Sequence, residues 1–157
     1  MGVSGAGKSL IGAALAEALG VVFIEGDAYH PAANVARMSA GIPLTDDDRA
    51  GWLRALAGRI HDAKGAGLVL TCSALKRSYR DVLRAEASEL QFVFLMGPRE
   101  LIAGRLATRR AHFMPATLLE SQFATLEEPS PDEHAWVCDI RHSPQAIVAA
   151  LLARASA

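Results

Sequence analysis

Apolar residues recur along this chain in two alternating rhythms. Ile11, Ala14, Leu15, Ala18 and Leu19 repeat at helical spacing, and Gly20 is placed to stop that helix. Residues 21–24 (VVFI) then form a continuous apolar run closed by Glu25, the pattern of a short parallel strand buried on both faces. A helix through Asn34 and Met38 follows and is ended by Gly41 and Pro43, and the next carries Trp52, Leu53, Leu56 and Ile60 on one face. Residues 68–72 read as a second strand, a basic helix bears Lys76, Arg77, Arg80 and Arg84, and residues 91–96 read as a third. Gly97 and Pro98 start a helix running towards Arg105, Arg109 and Arg110. The last strand is expected at 136–140, and Ser143 with Pro144 supplies an N-cap and first turn for a closing helix of Ile147, Val148, Leu151 and Leu152. Such alternation predicts an α/β fold, a doubly wound parallel sheet flanked by helices with right-handed crossovers.

The rhythm breaks between 105 and 132. There the chain carries arginines, then Phe113-Met114-Pro115, a short helix with Leu118, Leu119 and Phe123, and finally Glu127-Glu128-Pro129-Ser130-Pro131-Asp132. This mix of charge and proline predicts a small helical lid, an excursion from a single domain spanning 1–157. Asp46, Asp47 and Asp48 read as capping and dipole partners of the helix that follows them.

Composition narrows the class without changing this picture. A chain of 157 residues that is 51% hydrophobic can bury one core and is too short for two ordinary domains. A net charge of -1 offers no global field for nucleic acid or an anionic membrane, so small-molecule partners are expected. Thirteen of the 16 basic residues are arginine, which suits bidentate binding of phosphate or carboxylate but also fits a coding bias. Cys72 and Cys138 sit in apolar runs and read as buried free thiols of a reducing compartment. No apolar run reaches the roughly 18 residues of a membrane span, and no secretory signal pattern precedes one. A cytoplasmic location is the expectation.

The chemistry begins at the first residues. Gly2-Val3-Ser4-Gly5-Ala6-Gly7-Lys8-Ser9 fits G-x-x-x-x-G-K-[ST], the phosphate-cradling loop of nucleotide-dependent phosphotransferases. The glycines let backbone N–H groups turn inward as an anion nest, Lys8 can reach the outer phosphates of ATP, and Ser9 can hold Mg2+. A helix opening at Lys8 would aim its positive dipole end at the phosphates. Such a loop ordinarily leaves the end of a buried strand, and only Met1 precedes it here. The first, central strand is therefore expected to be missing from the sheet.

A second set of residues specifies more than nucleotide. The segment Gly26-Asp27-x-x-His30-Pro31-x-x-Asn34-x-x-Arg37-Met38-x-x-Gly41-x-Pro43-Leu44-x-Asp46-x-Asp48-Arg49-x-x-Trp52-Leu53 closely resembles the gluconokinase family of small P-loop kinases. So do Cys72-Ser73-Ala74-Leu75-Lys76-x-x-Tyr79-Arg80-Asp81, Arg109-x-x-His112-Phe113 and Gln122-Phe123-x-Thr125-Leu126-x-Glu128-Pro129. The resemblance covers nearly the whole chain in order; Arg37 departs from it, standing where the family usually has Lys. It implies ATP-dependent, Mg2+-assisted phosphorylation of D-gluconate to 6-phosphogluconate, a fold related to shikimate and nucleoside monophosphate kinases, and a homodimer. Two other readings stay open: a kinase of another sugar acid or small polyol, and a truncated protein that binds ATP or gluconate without turnover.

Roles follow from resemblance and placement together. Asp27, just past a strand end, is the candidate base for the attacking hydroxyl, or a turn-forming Asp. Glu25 is a candidate Mg2+ partner through water, or a strand-end acid paired to an Arg. Arg49, Lys76 and Arg80 are candidates for the substrate carboxylate, with His30 and Ser73 for its hydroxyls, against a solvated helix face for each cation. Arg105, Arg109 and Arg110 stand at the root of the excursion, where closing cations would meet the transferring phosphoryl group. Arg109 is the first choice, Arg105 a second nucleotide contact, and His112 a positioning residue of the substrate site.

Overall fold

The computed structural model describes residues 1–108 and 116–156. Helix α1 (Lys8–Leu19) opens directly from the glycine-rich loop, as its apolar spacing requires, and is capped by Gly20. Strand β1 (Val22–Glu25) pairs in parallel with β2 (Leu68–Thr71), Val22 opposite Leu68 and Glu25 opposite Thr71. Strand β3 (Val93–Met96) pairs in parallel with β4 (Trp136–Asp139), Val93 opposite Trp136 and Met96 opposite Asp139. The connecting helices are α2 (Ala32–Ser39), α3 (Asp46–Asp62), α4 (Arg77–Arg84), α5 (Arg99–Ala107), α6 (Ala116–Thr125) and α7 (Pro144–Ala155). The strands are shorter than the apolar runs that announced them, yet Cys72, Phe92 and Ile140, among the residues left outside, remain buried.

The sheet is in two halves, β1–β2 and β3–β4, with no ladder joining β2 to β3. Met1 stands between them: its nitrogen donates to the Val93 carbonyl at 2.5 Å and its carbonyl accepts from Leu95 N at 3.1 Å. On the other side Gly2 N donates to the Ser73 carbonyl at 3.1 Å. Between the halves lies a cavity of about 530 Å³, walled by apolar side chains including Leu15, Leu70, Val93, Leu95 and Trp136. This is the place of the central strand whose absence the sequence leads one to expect.

Two clusters of buried side chains back the halves. One gathers Ile11, Leu95, Ile140, Ile147 and Leu151 around the phosphate loop residue Val3. The other gathers Trp52, Leu56, Ile60, Tyr79, Leu83 and Phe92. Helix α1 touches both sides through adjacent residues. Ile11 belongs to the first cluster, while a Cβ on Gly12 would stand 2.9 Å from the Phe23 ring and 3.0 Å from the Thr71 methyl.

The excursion expected at 105–132 is divided. Residues 109–115 lie outside the described residues, but from α6 onwards the chain is packed, with Leu118 and Leu119 buried. The acids of this stretch bond back to the body of the chain. Glu127 N donates to the Leu75 carbonyl at 2.8 Å, its carboxylate accepts from Arg77 N at 2.7 Å, and Asp132 pairs with Arg77 at 2.6 Å. The cap of α3 also differs from expectation. Thr45, not an aspartate, is the N-cap: its Oγ1 accepts from Asp48 N at 3.2 Å while Asp48 accepts from Thr45 N at 2.8 Å, a reciprocal box that leaves Asp46 for another task.

Candidate active site

The phosphate loop takes the shape its glycines permit. Gly5 has φ +85°, and a Cβ there would also meet Leu106 Cγ at 2.8 Å, so α5 packs directly on the loop's backbone. Lys8, in the first turn of α1, folds back to donate to the Val3 carbonyl at 3.1 Å, which closes the loop around the helix N-terminus. Ser9 is exposed beside it. A glycine-rich loop, a helix start and a lysine on its rim suit the triphosphate of ATP, and exposed Ser9 with the Glu25 carboxylate suits Mg2+.

The opposite wall is built at the ends of β1 and β2. Glu25 accepts a short hydrogen bond from Thr71 Oγ1, the same hydroxyl that accepts from Gly26 N at 3.1 Å. Its partner is thus a threonine, not the arginine considered from sequence. The strands approach so closely that a Cβ on Gly26 would lie 1.9 Å from the Thr71 carbonyl oxygen. Residues Gly26–Tyr29 form a single 3₁₀ turn that exposes Asp27. Trp52 locks the turn by donating Nε1–H to the Gly26 carbonyl at 2.8 Å, and its indole stacks on His30 with centroids 4.1 Å apart. In the sequence Trp52 shows only as part of an apolar helix face and as the near-end of the family-like segment.

His30 stands between Asp27 and Arg49. Burial pushes its imidazole below the usual range, and Arg49 acts in the same direction while Asp27 opposes it. His30 Nδ1 lies 3.4 Å from Asn34 Nδ2, and the buried Asn34 amide also donates to the Asp48 carbonyl at 2.7 Å, tying α2 to α3 behind the site.

Lys76, just before α4, and Arg49, on α3, converge on Tyr79. Lys76 Nζ lies 5.6 Å and the Arg49 guanidinium carbon 5.7 Å from the ring centroid. Asp46 binds this group together, accepting from Lys76 at 2.8 and 2.9 Å and from the Tyr79 hydroxyl. The hydrogen bonds from Lys76 and then Tyr79 hold the Asp46 carboxyl below the usual carboxylate range, and Asp46 in turn raises the Lys76 ammonium. Ser73, half-buried, begins the loop that carries Lys76 into this corner.

Two expected site residues are placed elsewhere. Arg80 is buried, donating to both oxygens of Glu133 and to the Ala74 and Glu127 carbonyls at 3.0 Å each. With its fork committed inside the protein, Arg80 is not brought to the substrate site; a basic helix face looks the same in sequence whether it meets solvent or a buried acid. Arg105 donates to the Ile140 carbonyl at 2.8 Å, holding the turn after β4 rather than facing across the cleft. Arg109 and His112 lie outside the described residues. Cys72 and Cys138 are buried free thiols, and burial pushes Cys72 up to about 12. No helix among the described residues is long and apolar enough to cross a membrane.

A family model described as an AAA domain matches residues 1–129. Gluconokinase of Gluconobacter oxydans is 53% identical over 135 residues, covering 85% of this chain and 76% of its own. A gluconokinase from Sinorhizobium meliloti, known as a crystal structure, superposes with a TM-score of 0.87 at 50% identity, over 94% of this chain and 84% of its own. A sugar kinase from Janibacter gives a TM-score of 0.92 at 48% identity, over 98% of this chain and 90% of its own.

Proposed function

Because the chain belongs to the gluconokinase family of P-loop kinases, we propose that its site carries out ATP-dependent phosphorylation of D-gluconate to 6-phosphogluconate, with the residues divided as follows. The observation that carries this reading is the pairing of two walls: a lysine-bearing phosphate loop at the start of α1, and a cationic corner of Arg49 and Lys76 beyond Asp27. Gluconate has a carboxylate at one end and the reactive hydroxyl at the other, so it needs a cation far from the phosphate loop and a base near it.

In this division the loop Gly2–Ser9 holds the phosphates and Lys8 neutralises the outer ones. Ser9 and Glu25 would hold Mg2+, which when bound offsets charge on the phosphate oxygens. Asp27 accepts the proton of the attacking hydroxyl. Its 3₁₀ turn is fixed by Trp52 and by the Gly26–Thr71 contact, so the carboxylate is presented without a search through rotatable backbone. His30, kept neutral by burial, and Ser73 bond substrate hydroxyls. Arg49 and Lys76 bind the substrate carboxylate. Arg109 and His112 are assigned to the reacting groups by family resemblance, and Arg105, bonded to the Ile140 carbonyl, takes no part. A homodimer, a cytoplasmic location and a lid-like excursion at about 105–132 complete the proposal, supported by family resemblance.

The test is an acceptor panel. With ATP and Mg2+, consumption is expected with D-gluconate and not with shikimate or a nucleoside monophosphate; a nucleotide or another aldonate that outpaces gluconate overturns the assignment.

A further inference from the structure

Helix α6 and the residues just after it reach both walls of the site through side chains that the division above leaves without a role. Gln122 meets the phosphate loop twice: its Oε1 accepts from Ser4 N at 2.7 Å and its Nε2 donates to Ser4 Oγ at 3.1 Å. A backbone N–H can only donate, so the orientation of the amide is fixed by the bond it makes. Five residues on, Glu127 grips the other wall, through its N–H on the Leu75 carbonyl and its carboxylate on Arg77 N. Gln122 and Leu126 are themselves joined, Leu126 N donating to the Gln122 carbonyl at 2.9 Å.

Ser4 lies between two glycines of positive φ, Gly2 at +132° and Gly5 at +85°. Such a stretch has many backbone states open to it, and an anion nest works only when its amides already point at the anion. We propose that Gln122 is the positioning residue of the phosphate loop: by taking the Ser4 amide and hydroxyl out of circulation, it holds residues 4–9 in the phosphate-binding shape before nucleotide arrives. Glu127, two residues past the end of α6, holds the chain on either side of Lys76, so this stretch also ties the donor wall to the acceptor wall. The inference rests on the kinase reading only in naming the anion as a nucleoside triphosphate.

The experiment compares Gln122→Met, close in size but without the amide, with Glu120→Gln, which removes an exposed pair with Arg99 from the same helix. ATP with Mg2+ is titrated calorimetrically without acceptor, and kinetics with D-gluconate follow. Gln122→Met is expected to weaken ATP about 10-fold and raise KM for ATP to match, with KM for gluconate within about twofold and Glu120→Gln unchanged. Adding Ser4→Ala to Gln122→Met is expected to cost no further ATP affinity, since both act through one pair of bonds. ATP affinity retained in Gln122→Met, or ATP and gluconate constants worsening together with a falling Tm, overturns the proposal. Hydrogen exchange on the nucleotide-free wild type gives a readout free of folding effects: the Ser4 amide is expected to be protected, and free exchange there also overturns it. Because the titration needs no acceptor, it reports on Gln122 even if gluconate proves to be the wrong substrate.

Discussion

Arg80 donates to both carboxylate oxygens of Glu133, and each side chain is 1% exposed. The guanidinium holds the Glu133 carboxyl down to about 2. Such a pair contributes most visibly when one member is removed, because the other is left as an uncompensated buried charge. Glu133→Gln is therefore expected to cost about 3–5 kcal/mol in denaturant unfolding. The pH dependence has a defined sign. A depressed carboxyl adds stability that is complete above the unfolded value of 4.5 and is lost as pH falls from there towards 2. Wild-type stability should decline across that window, and the Glu133→Gln variant should decline less.

Asp27→Asn keeps the shape of the Gly26–Tyr29 turn and removes its proton acceptor. Turnover is expected to fall by about 10²–10⁴, with ATP binding within a few-fold of wild type. Full turnover in the variant would place the base elsewhere.

The corner of Arg49, Lys76, Asp46 and Tyr79 offers a separation between binding and chemistry. Arg49→Ala is expected to raise KM for gluconate by about 10-fold or more, the loss of one charge-assisted contact, with KM for ATP little changed. Asp46→Asn frees Lys76 from its carboxylate partner without removing either cation. Its effect should fall on the gluconate constant alone, measured by varying each substrate in turn.

Gly26 admits no side chain: a Cβ would sit 1.9 Å from the Thr71 carbonyl oxygen, a backbone atom that cannot rotate away. Gly26→Ala should force β1 and β2 apart and misplace Asp27, costing roughly 2–4 kcal/mol in stability along with activity. A Gly58→Ala control, on α3 with open space around it, should be neutral or slightly stabilising.

The apolar cavity between β2 and β3 invites filling. Fusing roughly five to ten residues rich in Val, Ile or Leu ahead of Met1 should add a strand that pairs with both edges. Burying three such side chains would raise Tm by at least about 5 °C after ordering costs. A polar, proline-containing extension of equal length is the control, and equal melting temperatures for the two would mean that the cavity does not accept a strand.

The sequence made the elements legible because their signals are local. The apolar face of α3, the Gly20 stop and the Ser143–Pro144 start all appear where spacing put them. Tertiary partners were not legible. Arg80, Arg77 and Arg84 share one helix face in the chain, yet one is buried against Glu133, one is exposed on Asp132 and one reaches the Glu133 carbonyl. Only the packing of residues 127–133 against α4, more than 40 positions away in the chain, distinguishes them. Asp46 keeps the dipole place expected for it, in the first turn of α3, but Thr45 took the cap, and the contact of Asp46 with Lys76 and Tyr79 had no local signal.

Helix α1 rests its Gly12 on β1 and β2 while Ile11, one residue earlier, enters the core of β3, β4 and α7. The helix is a crossbeam between two half-sheets that share no ladder, and its first turn is the nucleotide's landing point. A ligand held there resists the parting of the halves, so occupancy is coupled by mass action to the cohesion of the whole domain.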